Sequence, residues 1–167
     1  TGPKEVGPCK AIPAKANATA AEVIYLIAQA CGISPKVLIV TLQKEQGLVS
    51  STRPTEYMYR AAMGFGCPDS DPGICGKVYV GLFNQVYRAA KQFRWYGNPE
   101  GSFTYWRPGR VISMRYNPKA SCGSTTFQLK SQATANLYYY TPYTPNRAAL
   151  ANLYGTGDSC SAYGNRN

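Results

Sequence analysis

The stretch Ser34–Val49, SPKVLIVTLQKEQGLV, decides how the rest of the chain is read. Ser34 followed by Pro35 makes an N-cap with proline at the first helical position, where a backbone N–H has no helical partner anyway. Val37, Leu38, Thr41 and Leu42 recur at helical spacing, and Gly47 supplies a left-handed stop. The spacing predicts a helix ending at Gly47, with Val37, Thr41 and Glu45 at successive i+4 steps. Glu45 then lies on the inward stripe of an otherwise apolar helix. In the last turn the negative end of the helix dipole opposes ionisation, and partial desolvation acts in the same direction. Both keep a carboxylic acid neutral, the state from which it can protonate a leaving oxygen. The plainer alternative is that Glu45 pairs with Lys44, Arg53 or another cation on a solvated face.

Working outward, Ala20–Cys31 places Val23, Ile27, Ala30 and Cys31 at helical spacing ahead of Gly32. Residues 1–18 are rich in Pro and Gly and read as a disulfide-ordered arm or the remnant of a linker. Downstream, 55–63 and 80–96 read as helices separated by the turn-rich GFGCPDSDPGICGK. Residues 102–116 alternate aromatic and small polar side chains, which predicts a hairpin. Residues 128–140 read as a helix that Pro142 and Pro145 end, and 147–154 as a last helix before a Gly-rich finish. No repeat or composition change divides 19–167, which is read as a single domain behind the 1–18 arm. The fold class is α+β, mainly helical, with a small strand or loop lobe.

Composition sets the compartment. A chain of 167 residues with 44% hydrophobic residues can bury a substantial core. It has no apolar run of the ~18 residues a membrane span requires, and its start shows no charged-then-apolar leader. Six cysteines with no CxxC pair and no histidine argue against zinc. They read instead as three disulfides, Cys9–Cys31, Cys67–Cys75 and Cys122–Cys160, which persist only in oxidising surroundings. Asn17-Ala18-Thr19 is an N-glycosylation sequon, coherent with secretion. The expectation is a secreted, extracellular monomer with no membrane insertion.

Eighteen Lys and Arg against eight Asp and Glu leave a net charge of +10, which attracts polyanions. A nucleic-acid binder concentrates cations in one element with aromatics interleaved. Here they run from Lys4 to Arg166, so a cell wall carrying carboxylates and phosphates is the better partner.

With no histidine and the cysteines in bridges, the usual nucleophilic triads are missing. Carboxylate-driven glycoside cleavage needs neither metal nor histidine. Besides Glu45, Asp69 and Asp71 lie in the Cys67–Cys75 loop, where a second carboxylate could face the acid across a groove. Beside Pro and Gly they also suit ordinary turns. Asp158 reads as a turn residue, and Glu5, Glu22, Glu56 and Glu100 as surface charges or caps. Tyr138-Tyr139-Tyr140 with Tyr143 must expose some rings, and rings beside amides such as Gln43, Gln46 and Asn117 suit sugars. For most of the fourteen tyrosines plain packing is the better reading.

The segments SPKVLIVTLQKEQGLV, YRAAMGFGCPDS, NQVYRAAKQF, NLYYYTPYTPN and GTGDSCSAYGNRN resemble, in order from about Ala20 to the end, a family of secreted muramidases of fungi and bacteria. Some of its members carry an SH3-like wall-binding domain, and no such segment is visible here. The resemblance implies a lysozyme-like fold and hydrolysis of the β-1,4 bond between N-acetylmuramic acid and N-acetylglucosamine in peptidoglycan, without a cofactor. The glutamate of its QKEQGL motif is Glu45, and the carboxylate of its CPD motif is Asp69. Glu45 is then the general acid and Asp69 the second carboxylate, with Gln43, Gln46, Asn117, Tyr139 and Tyr143 as candidate glycan contacts. A lytic transglycosylase on the same substrate and a non-catalytic wall-binding module are the alternatives.

Overall fold

The computed structural model describes residues 9–68 and 74–162. The fold is mixed α/β: six helices and a two-stranded sheet among those residues, stapled by three disulfides that join Cys9–Cys31, Cys67–Cys75 and Cys122–Cys160, the set favoured among the fifteen possible. Among the described residues no helix is long and apolar enough to cross a membrane. The chain gathers into two compact units, Thr1–Trp95 and Tyr96–Asn167. The division falls in the last turn of a helix, so no linker-like sequence announces it.

In the first unit, α1 (Ala20–Cys31) and α2 (Pro35–Gln46) end as expected, on Gly32 and Gly47, both left-handed. α1 begins with a capping box: the Thr19 hydroxyl accepts from the Glu22 N–H, and the Glu22 carboxylate accepts from the Thr19 N–H. Ser34 makes no such bond, so Pro35 alone marks the start of α2. The buried stripe of α2 is Leu38, Thr41 and Leu42, and the Thr41 hydroxyl donates to the Val37 carbonyl at 2.8 Å. α3 (Glu56–Arg60) is shorter than the 55–63 expectation, because Ala61, Ala62 and Met63 leave the helix to enter the core as a buried turn. A 3-10 turn at Lys77–Tyr79 precedes α4 (Leu82–Tyr96), whose inward face is Gln85, Val86, Ala89, Ala90 and Phe93.

The capping box has a pH signature. A bond from the Lys15 ammonium, then the Thr19 N–H and hydroxyl, push the Glu22 carboxyl down from an ordinary 4.5 to about 2. A carboxyl lowered on folding stabilises the fold in full above its unfolded value. That contribution fades as pH falls from 4.5 toward about 2. Thermal unfolding followed from pH 6 to pH 2 should therefore show a shallower acid decline for Glu22→Gln than for the parent. Parallel curves would mean the cap is not formed in solution.

In the second unit, β1 (Val111–Arg115) pairs antiparallel with β2 (Ser124–Gln128), with Ile112 opposite Phe127 and Met114 opposite Thr125. The alternation of β1 sends Ile112 and Met114 inward, where they meet Leu129 and Ala135, bordered by Trp106, Phe127 and Tyr138. This corrects the hairpin expected within 102–116. Residues 102–110 are turns, in which Pro108 cannot donate to a ladder and the rings of Phe103 and Trp106 pack on Tyr139. Because Gln128 closes β2, α5 (Gln132–Tyr140) starts later than expected, on a Ser131 cap. α6 (Arg147–Ala151) is likewise shorter than 147–154. Its Asn146 cap donates to Asp158 at 2.9 Å; that bond, with the Cys160 N–H, holds the Asp158 carboxyl below its usual range.

Candidate functional site

Glu45 stands one residue before the end of α2, on the stripe that buries Leu38, Thr41 and Leu42. Its side chain is mostly sheltered, at 24% exposure. The two oxygens have different surroundings. Oε1 lies 3.0 Å from the ammonium of Lys44, itself nearly buried, while Oε2 faces the α-carbon of Gly64, where a methyl group would sit only 3.0 Å away. The sequence reading of a lone, neutral acid is therefore incomplete: Glu45 is one half of an ion pair, as the plainer alternative had it, but in a sheltered setting and not on a solvated face.

Two features hold Gly64 there. Its φ of +67° is the left-handed conformation that glycine adopts at little cost. The second is Gln85 of α4, which is fully buried. The Gln85 Oε1 accepts from the Met63 and Phe65 N–H groups, both at 3.1 Å, on either side of Gly64. Its Nε2 donates to the Phe65 and Tyr79 carbonyls, both at 2.8 Å. One amide thus fixes four backbone groups of the 63–65 turn and the residues leading into α4. Nearby, the Gly66 carbonyl accepts from the Gly76 N–H at 3.0 Å, closing the base of the Cys67–Cys75 loop. Sequence reading passed over Gln85. The available signal was its place on the inward stripe of 80–96, beside Val86, Ala89 and Phe93, where a polar side chain must find partners.

Gly64→Ala tests this contact. The added carbon meets a left-handed backbone and the Glu45 carboxylate together, and should lower unfolding free energy by about 1–2 kcal/mol. A change within 0.3 kcal/mol in urea unfolding would show that Gly64 and Glu45 are not in contact.

The other candidates scatter. Gln43 spends its amide on one partner: Nε2 donates to the Ser50 hydroxyl at 2.8 Å and Oε1 accepts from the Ser50 N–H at 3.0 Å. It braces the turn after α2. Gln46 is half-buried beside Glu45 in the last turn of α2. Asp69 and Asp71 lie outside the described residues. Asn117, Tyr139 and Tyr143 belong to the second unit. There the Asn117 Oδ1 accepts from the Lys119 N–H at 3.0 Å, and the Tyr139 Oη from the Trp106 N–H at 2.6 Å. Tyr139 sits among Tyr96, Phe103 and Trp106, ring centroids 4.6–5.3 Å away. Tyr138, Tyr139, Tyr140 and Tyr143 are all half-buried, so none of these rings is as open as expected; among the described residues the exposed tyrosines are Tyr25, Tyr57, Tyr59, Tyr105 and Tyr154. An apolar cavity of about 650 Å3 in the first unit is lined by Ile12, Pro13, Val23, Leu26, Phe83 and Tyr87 among others, and none of the candidate residues borders it.

Comparison of the chain with protein-family models, with curated proteins and with solved structures gave no match in any of the three.

Proposed function

We propose that the protein is a muramidase of lysozyme-like fold that hydrolyses the β-1,4 bond between N-acetylmuramic acid and N-acetylglucosamine in peptidoglycan, with Glu45 as the general acid. The observation that carries the reading is the sheltered carboxyl at the end of α2, its Oε2 turned toward the glycine of a rigidly held turn. The family resemblance of the sequence around Glu45 supports it. Three disulfides and the net charge of +10 suit a secreted enzyme acting on an anionic wall.

In this mechanism the glycan lies over Glu45 and the 63–65 turn that faces it. Protonated Glu45 gives its proton to the leaving glycosidic oxygen, and the C1–O bond breaks with oxocarbenium character on the sugar. Lys44, 3.0 Å from Oε1, then stabilises the carboxylate that remains. Water adds to C1, and its proton goes to a second carboxylate, Asp69 by preference, or back to Glu45. A carboxyl separation of about 5 Å gives retention, and about 6.5–9.5 Å inversion.

One observation favours a second reading. A carboxylate already paired with an ammonium can be a structural group, and a non-catalytic wall-binding module needs nothing more of Glu45. The deciding experiment is release of reducing ends from purified peptidoglycan, with masses of the products. New reducing ends with one water added support hydrolysis. A 1,6-anhydro product, lighter by one water, assigns a lytic transglycosylase, and no release at all leaves the binding module.

A further inference from the structure

Residues 9–18 form an arm tied to α1 at both ends. Near its start the Cys9–Cys31 disulfide and a bond from the Lys10 N–H to the Ala30 carbonyl, at 2.8 Å, fix it to the C-terminal end of the helix. Farther along, the Lys15 ammonium pairs with Glu22, whose carboxylate also accepts from the Thr19 N–H. Between these ties the arm does not close onto the helices. It leaves the apolar cavity of about 650 Å3, walled by Ile12 and Pro13 of the arm, Val23 and Leu26 of α1 and the parallel rings of Phe83 and Tyr87 of α4.

That volume lies within the roughly 300–1,000 Å3 of sites that take small organic ligands. Walls of this kind offer water few hydrogen bonds, so the space gains from an apolar guest. The charged side chains of the lining are both cations, Lys10 and Lys15, and no carboxylate is among them. Lys15 is committed to Glu22, whereas the exposed Lys10 has no ion pair among the described residues. An apolar space with an uncommitted ammonium in its wall suits a molecule that is alkyl along its length and anionic at one end.

We infer that this cavity binds a free fatty-acid carboxylate: the alkyl chain lies between the arm and the Phe83 and Tyr87 rings, and the Lys10 ammonium takes the carboxylate. The site is separate from Glu45, which does not border the cavity, and it stands whether or not the muramidase reading does.

Calorimetric titration of the whole chain with dodecanoate, below its micelle concentration and at physiological salt, should show saturable binding at one site. Tetradecanoate should bind about fifteenfold more tightly, at about fourfold per added methylene. Dodecanol should bind roughly three- to fivefold more weakly than dodecanoate, the worth of an exposed ion pair. Lys10→Gln should bring dodecanoate down to the level of dodecanol and leave dodecanol unchanged. Lys36→Gln removes the same charge from an exposed position on α2 outside the lining, and should bind dodecanoate as the parent does. Ala14→Trp fills the space from the exposed arm and should weaken every ligand about tenfold at a near-parental Tm. Parent affinity for dodecanoate in either Lys10→Gln or Ala14→Trp would overturn the inference. Equal weakening by Lys10→Gln and Lys36→Gln would overturn it too, because the net charge alone would then draw the anion. So would uptake of many dodecanoates per chain without saturation, or binding to anionic phospholipid vesicles with none to dodecanoate.

Discussion

Glu45→Gln should reduce release of reducing ends from peptidoglycan by at least about 100-fold, the lower end of what a positioned general acid contributes. The amide keeps the shape of the side chain, and its oxygen can still accept from Lys44. Packing around Leu38, Thr41 and Leu42 is untouched, and the left-handed close at Gly47 remains. What is lost is the ability to give a proton to a leaving oxygen. The stability cost should be small by comparison, because the carboxylate is a quarter exposed and water shares its solvation. The informative pattern is therefore a near-parental Tm with activity gone. A variant that still cuts at close to the parent rate would remove Glu45 from the chemistry and put the general acid elsewhere.

For stability the largest effect should come from Gln85. Leucine there fills a similar volume but offers nothing to the Met63 and Phe65 N–H groups or to the Phe65 and Tyr79 carbonyls. Each buried group that loses its partner costs roughly 1–3 kcal/mol. Partial relaxation of the turn brings the expected total for Gln85→Leu to about 4 kcal/mol, measured by urea unfolding. Asn84, one position away, is the control: it faces solvent and donates only to the Val80 carbonyl at 2.9 Å. Asn84→Leu should change stability by less than about 1 kcal/mol. Equal effects at the two positions would show that the bonds of Gln85 are replaced by water.

The parts of the fold readable in the sequence are those fixed by local rules. Pro35, Gly32 and Gly47 mark the start of α2 and the ends of α1 and α2 because such signals act within one turn. Of the disulfides, Cys67–Cys75 was readable because it closes a short loop, whereas spacing does not single out the other two pairings, whose loops span 22 and 38 residues. The sheet was not, because its partners are distant: Ser124–Gln128 joins Val111–Arg115 across an intervening 3-10 turn at Ala120–Cys122. Aromatic alternation before Pro108 imitated a strand, while those rings pack on Tyr139 from α5. The site was half legible. Periodicity placed Glu45 on the inward stripe, but neither the choice of Lys44 as partner nor the approach of Gly64 follows from spacing along α2.

The two tryptophans fall one in each compact unit, Trp95 at the end of the first and Trp106 in the second. Trp95 is open to solvent, whereas the Trp106 ring lies 4.6 Å from that of Tyr139. Emission from the chain is thus a sum of two distinguishable sources, one red-shifted and readily quenched by iodide, the other fed by energy transfer from a phenol. Replacing either indole by phenylalanine leaves a spectroscopic probe of one half of the molecule, so that the melting of each can be followed without adding a dye.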